Sequence, residues 1–108
     1  MEKVFSALAD GNRRKIIELL HEDNSTLLEL SEKFPISFQA LSKHIKILED
    51  VELVKKTKRG KYRELSLNRN PLRPTLEWIS YYSSFWNESF DKLAVVVNQQ
   101  NKDGTNPE

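Results

Sequence analysis

Two helix-patterned segments meet at Pro35 with only Pro35 and Ile36 between them, and no other feature constrains the fold as much. Proline cannot continue a helix and pushes its predecessor out of helical geometry, so the first segment must stop there. Upstream, Thr26 and Glu29 stand at capping-box spacing and open a helix whose apolar face is Leu27, Leu30 and Phe34. Downstream, Ser37 is placed as an N-cap, and Leu41, Ile45 and Leu48 form the inner face of a helix that runs out around Asp50. Two helices joined so tightly make a helix-turn-helix.

The flanking sequence extends the motif on both sides. Val4, Phe5 and Leu8 recur at helical spacing between Glu2 and Ala9. Asp10 or Asn12 then caps a second helix with Ile16, Ile17, Leu19 and Leu20 on its apolar face, ending near His21. After Asp50 come two strand-like runs, Leu53 to Thr57 and Tyr62 to Leu67, with Gly60 supplying the turn of a hairpin. Pro71 and Pro74 confine the start of the last helix to between Asn70 and Thr75. Beyond them Leu72, Leu76, Ile79, Ser83, Trp86, Phe90, Leu93 and Val97 form one stripe, and Trp78, Tyr82 and Phe85 a second. About 25 helical residues reach ~38 Å, more than one small domain can cover. Two apolar stripes on such a helix suit packing on its own domain and on a second copy.

The expected fold is therefore mainly α with a small β-hairpin wing: a winged helix-turn-helix that forms a homodimer through its terminal helices. With 108 residues there is room for one domain, expected over 1–97 with the dimerisation helix at about 71–97. Residues 98–108 are polar and expected to be disordered. Candidate dimer contacts are Val4, Phe5 and Leu8 in the first helix, and Ile79, Tyr82, Trp86, Phe90 and Leu93 in the last.

Composition removes several function classes. There is no cysteine and there are two histidines, His21 and His44. Thiol chemistry, thiolate zinc sites and iron–sulfur clusters are excluded, and no cofactor is expected. Ser42 and His44 diverge on a helix, and no glycine-rich phosphate loop is present, so an enzyme is not expected. No apolar run approaches the ~18 residues of a membrane span. The opening MEKVFSALAD carries an acid and lacks the apolar core of a secretory signal. A cytoplasmic protein without membrane insertion is the expectation.

Net charge is +1, but its distribution is uneven. Eight cations and three acids lie between Ser42 and Arg63, while the rest of the chain is four units negative. A basic middle in a mildly acidic chain is a candidate footprint for a polyanion.

The segment Leu8-Ala9-Asp10-Gly11-Asn12-Arg13-Arg14-Lys15-Ile16-Ile17-Glu18-Leu19-Leu20 resembles the opening of the ArsR/SmtB-type winged-helix repressors. Ile36 to Leu48, with its Ser42-Lys43-His44, is similar to their recognition helix. The wing followed by an aromatic terminal helix resembles the metal-independent autorepressor, or SdpR-like, branch. The resemblance covers about residues 2–97. It implies a homodimeric, DNA-binding transcriptional repressor that often acts on its own operon. It also implies an inducer, commonly a metal held by cysteines of the third helix or by His, Asp and Glu of the terminal helix. Thr26 to Phe34 holds no cysteine and Leu72 to Gln99 no histidine, so metal sensing does not carry over.

On this reading the outer face of the fourth helix presents Ser37, Phe38, Gln39, Ser42, Lys43 and Lys46 to the major groove. Gln39 suits adenine, and Lys43 suits guanine or phosphate. Phe38 departs from the polar residue common in the family and suits a thymine methyl. Lys58, Arg59 and Lys61 at the hairpin tip suit phosphates or the minor groove. His44 has two uses open: a contact near the DNA backbone, or a half-buried, locally bonded place at the core edge. Arg13 and Arg14 could meet the backbone, with salt bridges to Glu18 or Asp10 the preferred use. His21 suits a helix C-terminus and is assigned no function. Expected partners are double-stranded DNA, a second copy of the chain, and a releasing signal that is either a sequestering protein or a small hydrophobic inducer. The alternative from another class is a winged-helix module docking an acidic protein without specific DNA binding.

Overall fold

Asp10 follows the end of one helix and starts the next. In the computed structural model, which describes residues 1–100 and the side chains of residues 1–83, 85, 87–89 and 91–92, α1 spans Glu2–Leu8 and α2 spans Gly11–Glu22. The Asp10 carboxylate accepts from the backbone N–H groups of Asn12 and Arg13 at 2.8 and 3.1 Å. Those bonds, the Arg13 one foremost, hold its carboxyl below the usual aspartate range.

Thr26 does two jobs. With Ser25 it forms the short strand β1 (Ser25–Thr26), and its side chain caps α3 (Leu27–Ser31). The capping box is complete: Glu29 N–H donates to Thr26 Oγ1, and Thr26 N–H donates to the Glu29 carboxylate. The helix ends before the expected stop. Lys33 N–H and Phe34 N–H bond back three residues, to Leu30 and Ser31, and this tightened turn carries Phe34 into the core without helical geometry.

Ser37 Oγ accepts from Ala40 N–H and starts α4 (Phe38–Asp50). The end of α4 is a Schellman motif. Leu53 N–H reaches Leu48 C=O and Glu52 N–H reaches Glu49 C=O, each at 2.9 Å. Glu52 takes the left-handed position with φ 64°, where an L-residue with a side chain is strained. Glu52→Gly is therefore expected to raise stability by about 0.5–1 kcal/mol, the left-handed penalty less the extra freedom glycine gives the unfolded chain. A urea melt checks this; an unchanged or lower midpoint would mean the turn carries no strain.

Strands β2 (Val54–Arg59) and β3 (Tyr62–Leu67) form the wing hairpin, and the sheet order is β1-β3-β2, antiparallel throughout. The turn between Arg59 and Tyr62 has two residues, with φ 59° at Gly60 and no positive φ at Lys61. Glycine at the first central position is the pattern of a II′ hairpin. Strand β2 is longer than expected, so Lys58 and Arg59 are strand residues opposite Arg63 and Tyr62; of the three cations assigned to the tip, only Lys61 lies in the turn.

The chain divides into a unit of Met1–Thr75 and a second beginning at Leu76. The core of the first unit takes Val4 and Ala7 from α1, Ile16 and Leu20 from α2, Leu30 from α3, and Leu41, Ile45 and Leu48 from α4; Phe34, Leu53, Val54 and Leu65 complete it. This corrects the assignment of Val4 to a dimer contact: it is 6% exposed, used by the chain's own core, with Leu8 partly buried against that core. Phe5 is exposed.

Helix α5 spans Leu72–Gln100. In the second unit its exposed apolar side chains include Leu76, Trp78, Ile79, Tyr81, Tyr82 and Phe85. Trp78 and Tyr82 pack with ring centroids 5.2 Å apart, and Tyr81 meets Tyr82 edge-on at 4.7 Å. The candidate dimer contacts Trp86, Phe90 and Leu93 lie outside the described side chains. Of the tail expected from 98 onward, 98–100 continue α5 and 101–108 lie outside the described residues. Among the described residues no helix is long and apolar enough to cross a membrane.

Candidate nucleic-acid interface

The inner face of α4 is sealed, with Leu41 and Leu48 at 0% exposure and Ile45 at 1%, and that fixes which side chains its other face presents. Ser37, Phe38, Gln39, Lys43 and Lys46 are exposed, and Ser42 is half-buried. Gln39 and Lys43 lie four apart, on one line of the helix surface. A helix with a polar outer face and an apolar seat of this kind can enter a major groove while its inner side stays packed.

The cations differ in how committed they are. Lys46 Nζ sits 2.9 Å from Asp50 one turn on, and the Asp50 hydrogen bond raises its pKa. Arg59 pairs with Glu64 at 3.4 Å across the hairpin, and Lys56 with Glu49 at 3.4 Å. Lys43, Lys58 and Lys61 are exposed and have no ion-pair partner among the described residues. These three can neutralise an external anion without first breaking an internal pair; Lys46 and Arg59 must exchange an existing, largely solvated pair.

His44 occupies the second of its two open places. Its side chain is 19% exposed and its Nδ1 lies 3.1 Å from an Arg13 guanidinium nitrogen, with Asp10 Oδ1 at 3.9 Å. A guanidinium only donates, so Nδ1 accepts and the ring proton belongs on Nε2. The same Arg13 donates to Ala7 C=O at 2.7 Å and to Ser6 C=O at 3.3 Å, and Arg14 donates to Leu8 C=O at 2.7 Å. Arg13 and Arg14 thus close the carbonyl end of α1, and among the described residues neither forms the expected salt bridge to Glu18 or Asp10. Through Arg13 the end of α1, the start of α2 and the middle of α4 are tied together. No sequence spacing announced this clasp, because carbonyl acceptors leave no mark in the side-chain pattern. His21 Nδ1, likewise, meets Arg69 at 2.8 Å.

Residues 8–57 match the model of a family described as a helix-turn-helix domain. The chain is 34% identical over 79 residues to the transcriptional repressor SdpR of Bacillus subtilis, an alignment covering 73% of this chain and 88% of that one. It is 42% identical over 86 residues to an HTH-type transcriptional regulator of the same organism, YuzN, covering 72% and 94%. Among solved structures, the crystal structure of an ArsR family transcriptional regulator superposes with a TM-score of 0.71 at 28% identity, covering 80% of this chain and 94% of that one.

Proposed function

Because the chain belongs to the ArsR family of winged helix-turn-helix transcriptional repressors, and is thus a DNA-binding repressor and not an enzyme, we propose that it acts as a homodimer on an inverted-repeat operator, that of its own gene first. The observation carrying this reading is the pairing of a sealed, exposed-faced α4 with uncommitted cations on the adjoining wing. Gln39, Lys43 and Phe38 meet base edges; Ser37 and Ser42 let the helix approach closely; Lys58 and Lys61 meet phosphates, joined by Arg59 and Lys46 once their internal pairs exchange.

Each chain carries one reading helix, and an inverted repeat needs two, about 34 Å apart. Self-association through α5 supplies them. Ile79 and Tyr82 are exposed on that helix, and Trp86, Phe90 and Leu93 continue the stripe of Ile79 in the sequence. A small hydrophobic molecule or a sequestering protein acting at the same aromatic helix, where Tyr81 is 78% exposed, releases the DNA. The protein works in the cytoplasm, where its operator is.

Hydroxyl-radical footprinting on DNA from upstream of its own gene tests the proposal. Two protected segments related by a dyad and spaced by about one helical turn are expected. A single protected segment with one protomer bound would overturn the dimeric reading.

A further inference from the structure

Phe38 is the one large apolar side chain in the first turn of α4, and it is 47% exposed. It is not spent on the core, whose α4 contribution is Leu41, Ile45 and Leu48. Ser37 just before it is held as the N-cap by its bond to Ala40 N–H, so Phe38 opens the helix at a fixed backbone position with nearly half of its surface exposed. Residues near the N-terminus of a reading helix contact base edges. A phenyl ring neither donates nor accepts, so it is blind to the hydrogen-bond code of the groove. Only one of the four natural bases offers it something: thymine, whose C5-methyl projects into the major groove.

We infer that Phe38 is a specificity-determining residue that selects a base carrying a C5-methyl group, thymine in ordinary DNA, at one position of each half-site. The inference rests on the proposed insertion of α4 into the major groove. It places an apolar contact next to the polar reading by Gln39, so that the half-site contains a methyl-bearing pyrimidine beside the base Gln39 reads. Replacing thymine by uracil deletes that methyl and leaves every donor and acceptor in place.

The test starts from a duplex selected by the full-length protein out of a random-sequence pool. Each thymine is then replaced in turn by deoxyuridine and binding is measured by fluorescence anisotropy. One position per half-site is expected to weaken binding about fourfold, equivalent to the roughly 0.8 kcal/mol of one buried methyl, and both together about fifteenfold. Phe38→Ala is expected to bind thymine and uracil duplexes equally, and Phe38→Gln to select sites without that thymine. A wild-type protein that prefers its selected duplex over scrambled DNA yet ignores every uracil replacement overturns the inference and leaves the repressor reading standing. Thymine sensitivity retained by Phe38→Ala also overturns it. Failure to select any duplex would overturn the insertion of α4 itself, and the inference with it.

Discussion

Alanine at both Gln39 and Lys43 is expected to lower the preference for operator over scrambled DNA by at least about a hundredfold. A good base contact is worth about 1–3 kcal/mol, and a dimer presents each residue twice. The two side chains lie one turn apart on the exposed face of α4, over a sealed inner face. Their removal leaves the fold intact, because neither touches the core. Affinity for scrambled DNA is expected to fall far less, since the phosphate contacts of Lys58 and Lys61 persist and carry the sequence-independent attraction. Anisotropy on both duplexes separates the two effects. A parallel drop on both would make Gln39 and Lys43 backbone contacts; no change in preference would mean that α4 reads with another face.

Leu41→Ala is expected to cost about 2–5 kcal/mol, the usual range when a fully buried leucine is truncated and its site cannot collapse. Leu41 is 0% exposed and lies where α4 meets the core shared by α2 and α3. A domain of this size has roughly 5–15 kcal/mol in all, so about an eighth of the stability is at stake at the least, and all of it at the most. The denaturant midpoint should fall sharply with its slope unchanged. DNA binding should fail only where the protein is unfolded. A loss below about 1 kcal/mol would place Leu41 outside the core.

These two changes separate what the sequence displays clearly from what it conceals. The inner face of α4 was legible because Leu41, Ile45 and Leu48 repeat at helical spacing, and the capping box because Thr26 and Glu29 stand three apart. The hairpin followed from Gly60, the one residue there suited to a positive φ. Strand β1 leaves no mark in the sequence, because two residues cannot show alternation and Thr26 carries the signature of a cap. The apolar pattern overruns the end of α3, because Phe34 fits the helical period while reaching the core from a turn. Spacing gives a helix's apolar face but not what that face meets, so Val4 fits a partner contact in the sequence and the chain's own core in the fold.

The candidate interface was legible in its residues and not in their commitments. Lys43 and Lys46 look alike on the helix surface, yet Lys46 is bonded to Asp50; the four-residue spacing to that acid was the available signal. The pairing of Arg59 with Glu64 depends on strand register, which a one-residue shift would have changed. The Arg13 clasp on His44 and the α1 carbonyls joins residues 31 apart with no motif between them.

The central claim is that α4 and the wing together make a sequence-reading surface. Anisotropy of the purified protein on DNA from upstream of its own gene, against scrambled DNA across a salt series, tests it most directly. A preference of at least about a thousandfold is expected, with two protomers per site. The log–log salt slope on both duplexes should steepen by about 0.9 for each phosphate contacted. Equal, weak binding to both duplexes would contradict the account and favour the wing as a docking surface for an acidic protein.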